Sequence, residues 1–418
     1  MVVKRSRAFR RPYPAKASTP RNNLKRIAIG PYSVGSRGTK NPAIMAAMRI
    51  LHIYKDYPPV LGGIENHLEL LAEGLVARGH QVTVLVSGQG HRTEVTERRG
   101  VRLVLAGRLV TVASTPLSPA LPLLLARERP DLIHLHHPYP PGDVAALLGG
   151  CGVPLVVTYH SDIVRQRRLG TIIAPIVRRT LRRAARIIAT SPAYIRSSPF
   201  LAPVASHCRV VPFGIPLAHY GQADPKHVDA LRQRFPGPVV LFVGRLRYYK
   251  GADRLVRAMA HVPARAVFVG ADASVRAADL ANLAAQLGLS NRIHFVGEQS
   301  EAALRAFYHT ATLFALPSVE RSEAFGIVQI EAQAAGLPIV CTELGTGTSF
   351  VTRHGHTGIV VPPDDVPALA HALRILVENP TLARTMGEAG RTRAHAEFSL
   401  TRMLDRIEAV YDEARRGD

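Results

Sequence analysis

One rhythm constrains this chain more than any other feature: it runs, breaks once and starts again. From Met48, short apolar runs at 50–54, 82–86, 101–105, 132–135, 155–158 and 187–190 alternate with amphipathic stretches such as 65–78 and 175–185. Runs of four to six apolar, β-branched residues read as buried strands, and stretches with a 3.6-residue period read as helices. That alternation predicts a parallel sheet covered on both faces. Around 210–225 the rhythm stops at VVPFGIPLAHYGQADP, whose prolines and glycines read as a linker. It resumes with strands at 239–243, 266–269, 293–296, 313–316 and 339–341 and helices at 254–261, 277–287, 301–309 and 324–335. The end is helical, at 366–378, 381–397 and 400–415. The expected fold class is α/β: two Rossmann-like, doubly wound parallel-sheet domains facing each other across a cleft. The expected boundaries are a first domain at 48–212, a linker at 213–236, a second domain at 237–395, and a last helix at 396–418 that packs back on the first domain.

A length of 418 residues suits two domains, and 47% apolar content is enough for two cores. The three cysteines, Cys151, Cys208 and Cys341, lack metal or CxxC spacing, which fits a reducing cytosol. No apolar run approaches the ~20 residues that span a bilayer. The chain therefore reads as cytoplasmic, at most peripheral at the inner face of the membrane. Of the net charge of +22, residues 1–48 hold eleven Lys/Arg and no acid. Residues 1–47 read as a disordered basic extension, and a start-site artefact, with translation beginning at Met48 or Met45, is the leading account.

The densest chemistry lies in Glu323-Ala-Phe-Gly-Ile-Val-Gln-Ile-Glu331, after the strand TLFALPS and at the start of a helix. A helix N-terminus offers free N–H groups and a positive dipole end to a sugar or a diphosphate. Gly326 permits close backbone approach. Glu331 is expected about two turns down the helix, roughly 10 Å from its start. A diphosphate bridges a similar gap, so one acid can hold sugar hydroxyls while the other takes a ribose. Glu331 also stands in an apolar run, where an unpaired acid is costly. The ordinary alternative is two acids complementing a helix dipole.

Arg245 and Lys250, in VGRLRYYKG, follow the first strand of the second domain. At a strand's carboxyl end, such a pair can neutralise the charge on a departing diphosphate. Gly62 and Gly63, in YPPVLGGIE, open a helix beside the first strand and either meet a phosphate or an acceptor or make a tight turn. His160, in TYHSD, ends a strand at the cleft. His134, His136 and His137 match no standard metal spacing, and no metal site is expected there. Arg165, Arg167, Arg168, Arg178, Arg179, Arg182, Arg183 and Arg186 share their stretch with one acid, Asp162. They serve either as a solvated face or as a surface for anionic lipid headgroups.

On these residues the chain resembles the retaining glycosyltransferases of family 4, which have the GT-B fold. The resemblance runs from Met48 to the last helix, and its most specific part is EAFGIVQIE. It implies that Arg245 and Lys250 bind the donor diphosphate. Glu323, with the backbone of Phe325, Gly326 and Ile327, contacts the transferred sugar, and Glu331 binds the ribose. Gly62 and Gly63 lie by the phosphates, and His160 sits at the sugar. It also implies retention of anomeric configuration, no divalent metal and no cofactor beyond a nucleotide-sugar substrate. TYHSDIVRQ, SPAYIRSSP and CTELGTGTSFV are similar to a bacterial rhamnosyl- or mannosyltransferase subgroup, which favours GDP-mannose as donor and a glycan or lipid-linked acceptor. One departure is GTGTSF, which lacks the acid many members carry there.

The rival enzymes are GT-B nucleotide-sugar epimerases and phosphorylases. A nucleic-acid-binding protein is the rival from another class. Against it stand the absence of Trp, the lack of helix-turn-helix, finger or OB signals, and the confinement of half the excess charge to the tail. A dehydrogenase is disfavoured because no GxGxxG follows a strand.

Overall fold

The computed structural model describes residues 47–60, 62–112, 115–162, 167–270 and 275–417. The expectations for residues 1–46, for Arg165 and for the start site lie outside the described residues.

The first half contains strands β1 (Arg49–Ile53), β2 (Gln81–Ser87), β3 (Glu94–Arg98), β4 (Val101–Ala106), the short pair β5 (Val110–Val112) and β6 (Thr115–Leu117), then β7 (Leu132–His137), β8 (Leu155–Tyr159), β9 (Arg186–Ala189) and β10 (Cys208–Val210). Its helices are α1 (Gly63–Ala77), α2 (Leu121–Glu128), α3 (Pro140–Gly149), α4 (Arg167–Arg183) and α5 (Pro192–Ser197). The second half holds α6 (Pro225–Arg234), β11 (Val239–Val243), α7 (Ala252–Ala258), β12 (Arg265–Val269), α8 (Val275–Gln286), β13 (Ile293–Gly297), α9 (Glu301–Thr310), β14 (Leu313–Leu316), α10 (Ile327–Ala334), β15 (Ile339–Thr342), α11 (Thr348–Val351), β16 (Gly358–Val361), α12 (Val366–Glu378), α13 (Pro380–Glu397) and α14 (Leu400–Arg416).

Two sheets organise these elements, in the orders β10-β9-β8-β7-β1-β2-β4-β3 and β13-β12-β11-β14-β15-β16. Their pairings are parallel except β3 with β4. That exception corrects the expectation of a wholly parallel sheet: β3 is an exposed edge strand whose alternation was too polar to read as a strand. The central strands β8, β11, β14 and β15 are buried at every position. Continuous apolar runs like these require helices on both faces.

Each sheet contains one reversal of strand order. β1 lies between β7 and β2, and β11 lies between β12 and β14. At such a switch the loops leaving neighbouring strands diverge and open a crevice at the carboxyl ends. β1 with β7, and β11 with β14, therefore mark where each half can hold a ligand.

The stretch 213–236, expected as plain linker, includes α6, capped by the Asp224 carboxylate accepting from Lys226 N at 3.0 Å. Pro and Gly at the start of this stretch masked a short helix behind them. The chain returns to the first half at 397–400. Ile215 N donates to Phe398 O, and Leu400 N donates to Ile215 O, both at 3.0 Å. α14 then lies on the first half. Glu408 takes Arg78 and His80, Glu413 takes Arg186 and Arg209, and the Tyr411 hydroxyl meets His134 Nδ1 at 2.6 Å.

Candidate active site

The second half's switch point gathers the charged residues. Loop 244–251 leaves β11 and loop 317–326 leaves β14, and the two are stitched together by Val319 N donating to Tyr249 O at 2.8 Å. Gly251, at φ +67, lies so close to Pro317 O that a Cβ there would sit 1.9 Å from it. Only glycine allows both that left-handed turn and that approach. The contact brings the ends of the two loops together. The Lys250 ammonium thereby meets the Glu323 carboxylate at 2.8 Å, with both side chains close to nine-tenths buried.

The electrostatics are coupled across the group. Burial works against the Lys250 charge, but Glu323 outweighs it and holds the ammonium above its usual pKa, while nearby Arg245 pulls the other way. Burial raises the Glu331 carboxyl, opposed by hydrogen bonds from Tyr308 and Tyr220 and by the Lys250 charge. Lys250 thus lies close enough to Arg245, Glu323 and Glu331 to interact with the charge of each. Arg245 is exposed.

Two sequence expectations for Glu331 need correction. α10 begins at Ile327, after Gly326, so Glu331 lies only about one turn, roughly 6 Å, from its start. Gly326 adopts φ +77, a left-handed turn that keeps the helix from starting earlier. Nor is Glu331 unpaired: the Tyr308 hydroxyl donates to its Oε2 at 2.7 Å. That partner is 23 residues away on α9, beyond the reach of pattern reading. Gly326 also brings no side chain to cap α10, so the first N–H groups of that helix have no capping side chain. Phe325 anchors the loop, its ring 5.1 Å from Phe213. The GTGTSF segment is a brace: Thr346 Oγ1 donates to Glu323 O at 2.9 Å, and Gly347 N donates to Ala324 O at 2.8 Å.

Across the cleft, the first half's switch point carries histidines. His52 and His134 are register partners on β1 and β7, and His136, two residues on, shares their face. His52 Nδ1 meets His136 Nε2 at 3.0 Å, and His136 Nδ1 meets His160 Nε2 at 2.9 Å. His134 Nε2 meets Thr158 Oγ1 at 2.6 Å. His67, from α1, brings its ring within 5.5 Å of His160. Burial pushes the pKa values of His52 and His67 down to about 3, and those of His134, His136 and His160 well below the usual value. These imidazoles are neutral. His137, grouped with His134 and His136 on sequence, points to the opposite face, 3.4 Å from Asp143 and stacked on Tyr159. His52 and His67 were missed; a lone histidine inside an apolar run gives no warning of convergence.

His160 Nδ1 is buried without a partner among the described residues. Gly62 and Gly63 open α1, where Glu65 crowds Gly62 and space beside Gly63 is open. They belong to the first half, at the start of α1. A direct link between the halves was also missed: Arg321 Nη2 donates to Asp162 Oδ2 at 3.1 Å, and Arg321 Nη1 donates to Ser197 Oγ at 2.9 Å. The basic stretch near α4 is not a single face. Arg183 donates to Gly150 O and Arg186 pairs with Glu413, whereas Arg178, Arg179 and Arg182 are exposed.

Comparison with known proteins identifies the family and the fold. Residues 61–219 match the family described as Glycosyltransferase Family 4, and residues 226–393 match Glycosyl transferases group 1. The chain is 36% identical over 357 residues to D-rhamnosyltransferase WbpZ of Pseudomonas aeruginosa, covering 84% of this chain and 92% of that protein. It is 34% identical over 367 residues to O-antigen chain mannosyltransferase C of Escherichia coli, covering 87% and 98%. The fold is similar to sucrose-phosphate synthase of Thermosynechococcus elongatus, with a TM-score of 0.75 at 25% identity, covering 88% and 99%. With two doubly wound halves, paired switch points and these matches, the chain belongs to the family-4 glycosyltransferases and has their GT-B fold.

Proposed function

We propose that this enzyme is a retaining hexosyltransferase that takes mannose from GDP-mannose and passes it to a glycan or lipid-linked acceptor in cell-surface polysaccharide or glycolipid synthesis. The observation that carries the reading is the buried Lys250–Glu323 pair at the second half's switch point, with Arg245 and Glu331 near enough to interact with the Lys250 charge.

Arg245 and Lys250 face the diphosphate and offset the charge that grows as it leaves. The uncapped N-terminus of α10, at Gly326 and Ile327, adds N–H groups and a positive dipole end. Glu323, already fixed by Lys250, accepts from sugar hydroxyls, and Glu331 accepts from the ribose. His160, being neutral, offers a hydrogen bond at the sugar rather than a positive charge. With charge stabilisation supplied by side chains and backbone, the reaction needs no divalent metal. Leaving and attacking oxygens share one face of the sugar, which retains the anomeric configuration.

Peripheral contact with the inner face of the cytoplasmic membrane completes the reading. It is supported by exposed Arg178, Arg179 and Arg182 on α4, a helix segment without an acid. Among the described residues no helix is long and apolar enough to cross a membrane.

The testing experiment is a thermal-shift screen of nucleoside diphosphates and their sugars, followed by turnover of the best donor with and without EDTA. GDP and GDP-mannose are expected to stabilise most, by about 2.7 kcal/mol at 100 times Kd. GDP-D-rhamnose, the 6-deoxy analogue, tests the choice of sugar. No shift with any nucleotide sugar would refute the reading, and loss of turnover in EDTA would refute its metal-free part.

A further inference from the structure

Glu323 is held at three points. Its carboxylate meets Lys250 at 2.8 Å, its carbonyl accepts from Thr346 Oγ1 at 2.9 Å, and the carbonyl of Ala324 accepts from Gly347 N at 2.8 Å. Two of these holds come from the loop 343–347 after β15, so Glu323 is no steadier than that loop. The loop presents three successive carbonyls toward the first half. Leu344 O accepts from Arg321 Nη1 at 3.3 Å, Gly345 O from Arg321 Nη1 at 3.2 Å and Ser197 Oγ at 2.6 Å, and Thr346 O from Ser191 Oγ at 3.2 Å. Ser191 caps the start of α5 and Ser197 ends it, so both serines belong to the first half. Ser191 and Thr346 are fully buried. We infer that Arg321 is a positioning residue: it clasps Asp162 and Ser197 of the first half to loop 343–347, and the closed clasp sets Glu323 for transfer. The inference rests on the glycosyl-transfer reading above and adds how the first half reaches the Lys250–Glu323 pair.

The chemistry of the clasp requires an arginine. One guanidinium serves the two carbonyls, the Ser197 hydroxyl at 2.9 Å and Asp162 Oδ2 at 3.1 Å, and it lies 5.3 Å from the centre of the Tyr194 ring. A planar fork with five N–H groups can do this, and a compact ammonium cannot. Asp162 is prepared for it. The Tyr159 hydroxyl and Ser198 Oγ donate to its Oδ1 at 2.9 and 2.7 Å, and its backbone N donates to the Tyr194 hydroxyl at 2.7 Å, which leaves Oδ2 to Arg321. Asp162 stands two residues after His160, and Arg321 stands two residues before Glu323. A single ion pair therefore ties the segment that carries His160 to the segment that carries Glu323. Without the guanidinium, the Asp162 carboxylate would face carbonyl oxygens with no positive charge between them, and that repulsion would oppose closure of the halves. The clasp also gives GTGTSF, which lacks the acid many family-4 members carry there, a role that needs only carbonyls.

The test compares Arg321→Ala, Arg321→Lys and the double variant Asp162→Ala/Arg321→Ala with the unaltered full chain. Each is measured by steady-state turnover with the best donor, by calorimetric titration with GDP and by small-angle X-ray scattering. Arg321→Ala should lower kcat about ten- to a hundredfold, the penalty of a misplacement on the order of 1 Å. Donor KM and GDP affinity should stay within about threefold, because the diphosphate contacts lie in the second half alone. Arg321→Lys, which keeps the charge but not the fork, should recover only part of kcat. The double variant should cost no more than Arg321→Ala, since both residues act through one contact. Scattering should show Arg321→Ala to be more expanded than the unaltered chain. If circular dichroism shows that Arg321→Ala does not fold, Ser197→Ala takes its place, with the same pattern and a smaller fall in kcat. Unchanged kcat, a fall in GDP affinity as large as the fall in kcat, or effects of positions 162 and 321 that multiply in the double variant would overturn the inference. Unaltered protein that binds no nucleoside diphosphate and turns over no donor would instead sink the donor reading, and scattering would still decide whether Arg321 holds the halves together.

Discussion

The two halves place the same structural device against opposite chemistry. In each, a central strand meets its neighbour at a reversal of strand order, β1 with β7 and β11 with β14. At the first reversal, five buried imidazoles bond to one another, stack or meet edge to face, and burial favours their neutral form. At the second, a lysine and a carboxylate form a buried pair, and an arginine and a second carboxylate lie near enough to the lysine to interact with its charge. The difference teaches that the fold dictates where a ligand goes but not what it is. A neutral imidazole wall offers hydrogen bonds without charge, whereas the second switch point sets positive charge beside carboxylates, so the two suit different parts of a ligand.

The largest effect that can break this comparison is loss of a charged contact. Lys250→Ala and Glu331→Ala should each cut transfer by about a hundredfold, or about 3 kcal/mol, measured as kcat/KM for the donor. Near-normal turnover in both variants would remove the second crevice from the chemistry. Circular dichroism should accompany Lys250→Ala, because it leaves the Glu323 carboxylate without its buried partner.

A smaller effect sharpens the other side. The histidines are neutral in the native protein, but near pH 6.5 and below they take up protons once unfolded. The unfolded state then binds more protons, so stability must fall as pH falls. For His52 and His67 the window runs from the unfolded value of 6.5 down to about 3. Each contributes up to about 1.4 kcal/mol per pH unit within it. Urea unfolding at several pH values measures the slope, and His67→Leu should reduce it by about one proton. A slope unchanged by that variant would show that His67 is charged in the native cluster.

How much of this was legible in the sequence differs between the two regions for a physical reason. The charged crevice is built from two continuous segments, each running from a strand end into a helix, so GRLRYYK and EAFGIVQIE could be read as units. The histidine cluster draws on β1, α1, β7 and the end of β8, and nothing in sequence spacing joins His52 to His136 or His67 to His160. Periodicity did carry one unread message. In a strand, His134 and His136 must share a face and His137 must oppose it. The partners of Glu331, the α6 helix inside the supposed linker and the Arg321–Asp162 link all depend on tertiary placement. The strand order was likewise invisible, although it is what puts β11 beside β14 and so creates the crevice.

The most direct measurement is a crystal structure of the protein with GDP-mannose or GDP. The diphosphate should lie within hydrogen-bonding distance of Arg245, Lys250 and the first N–H groups of α10, with the ribose on Glu331. A nucleotide bound at the histidine wall, or anywhere outside that crevice, would contradict the account.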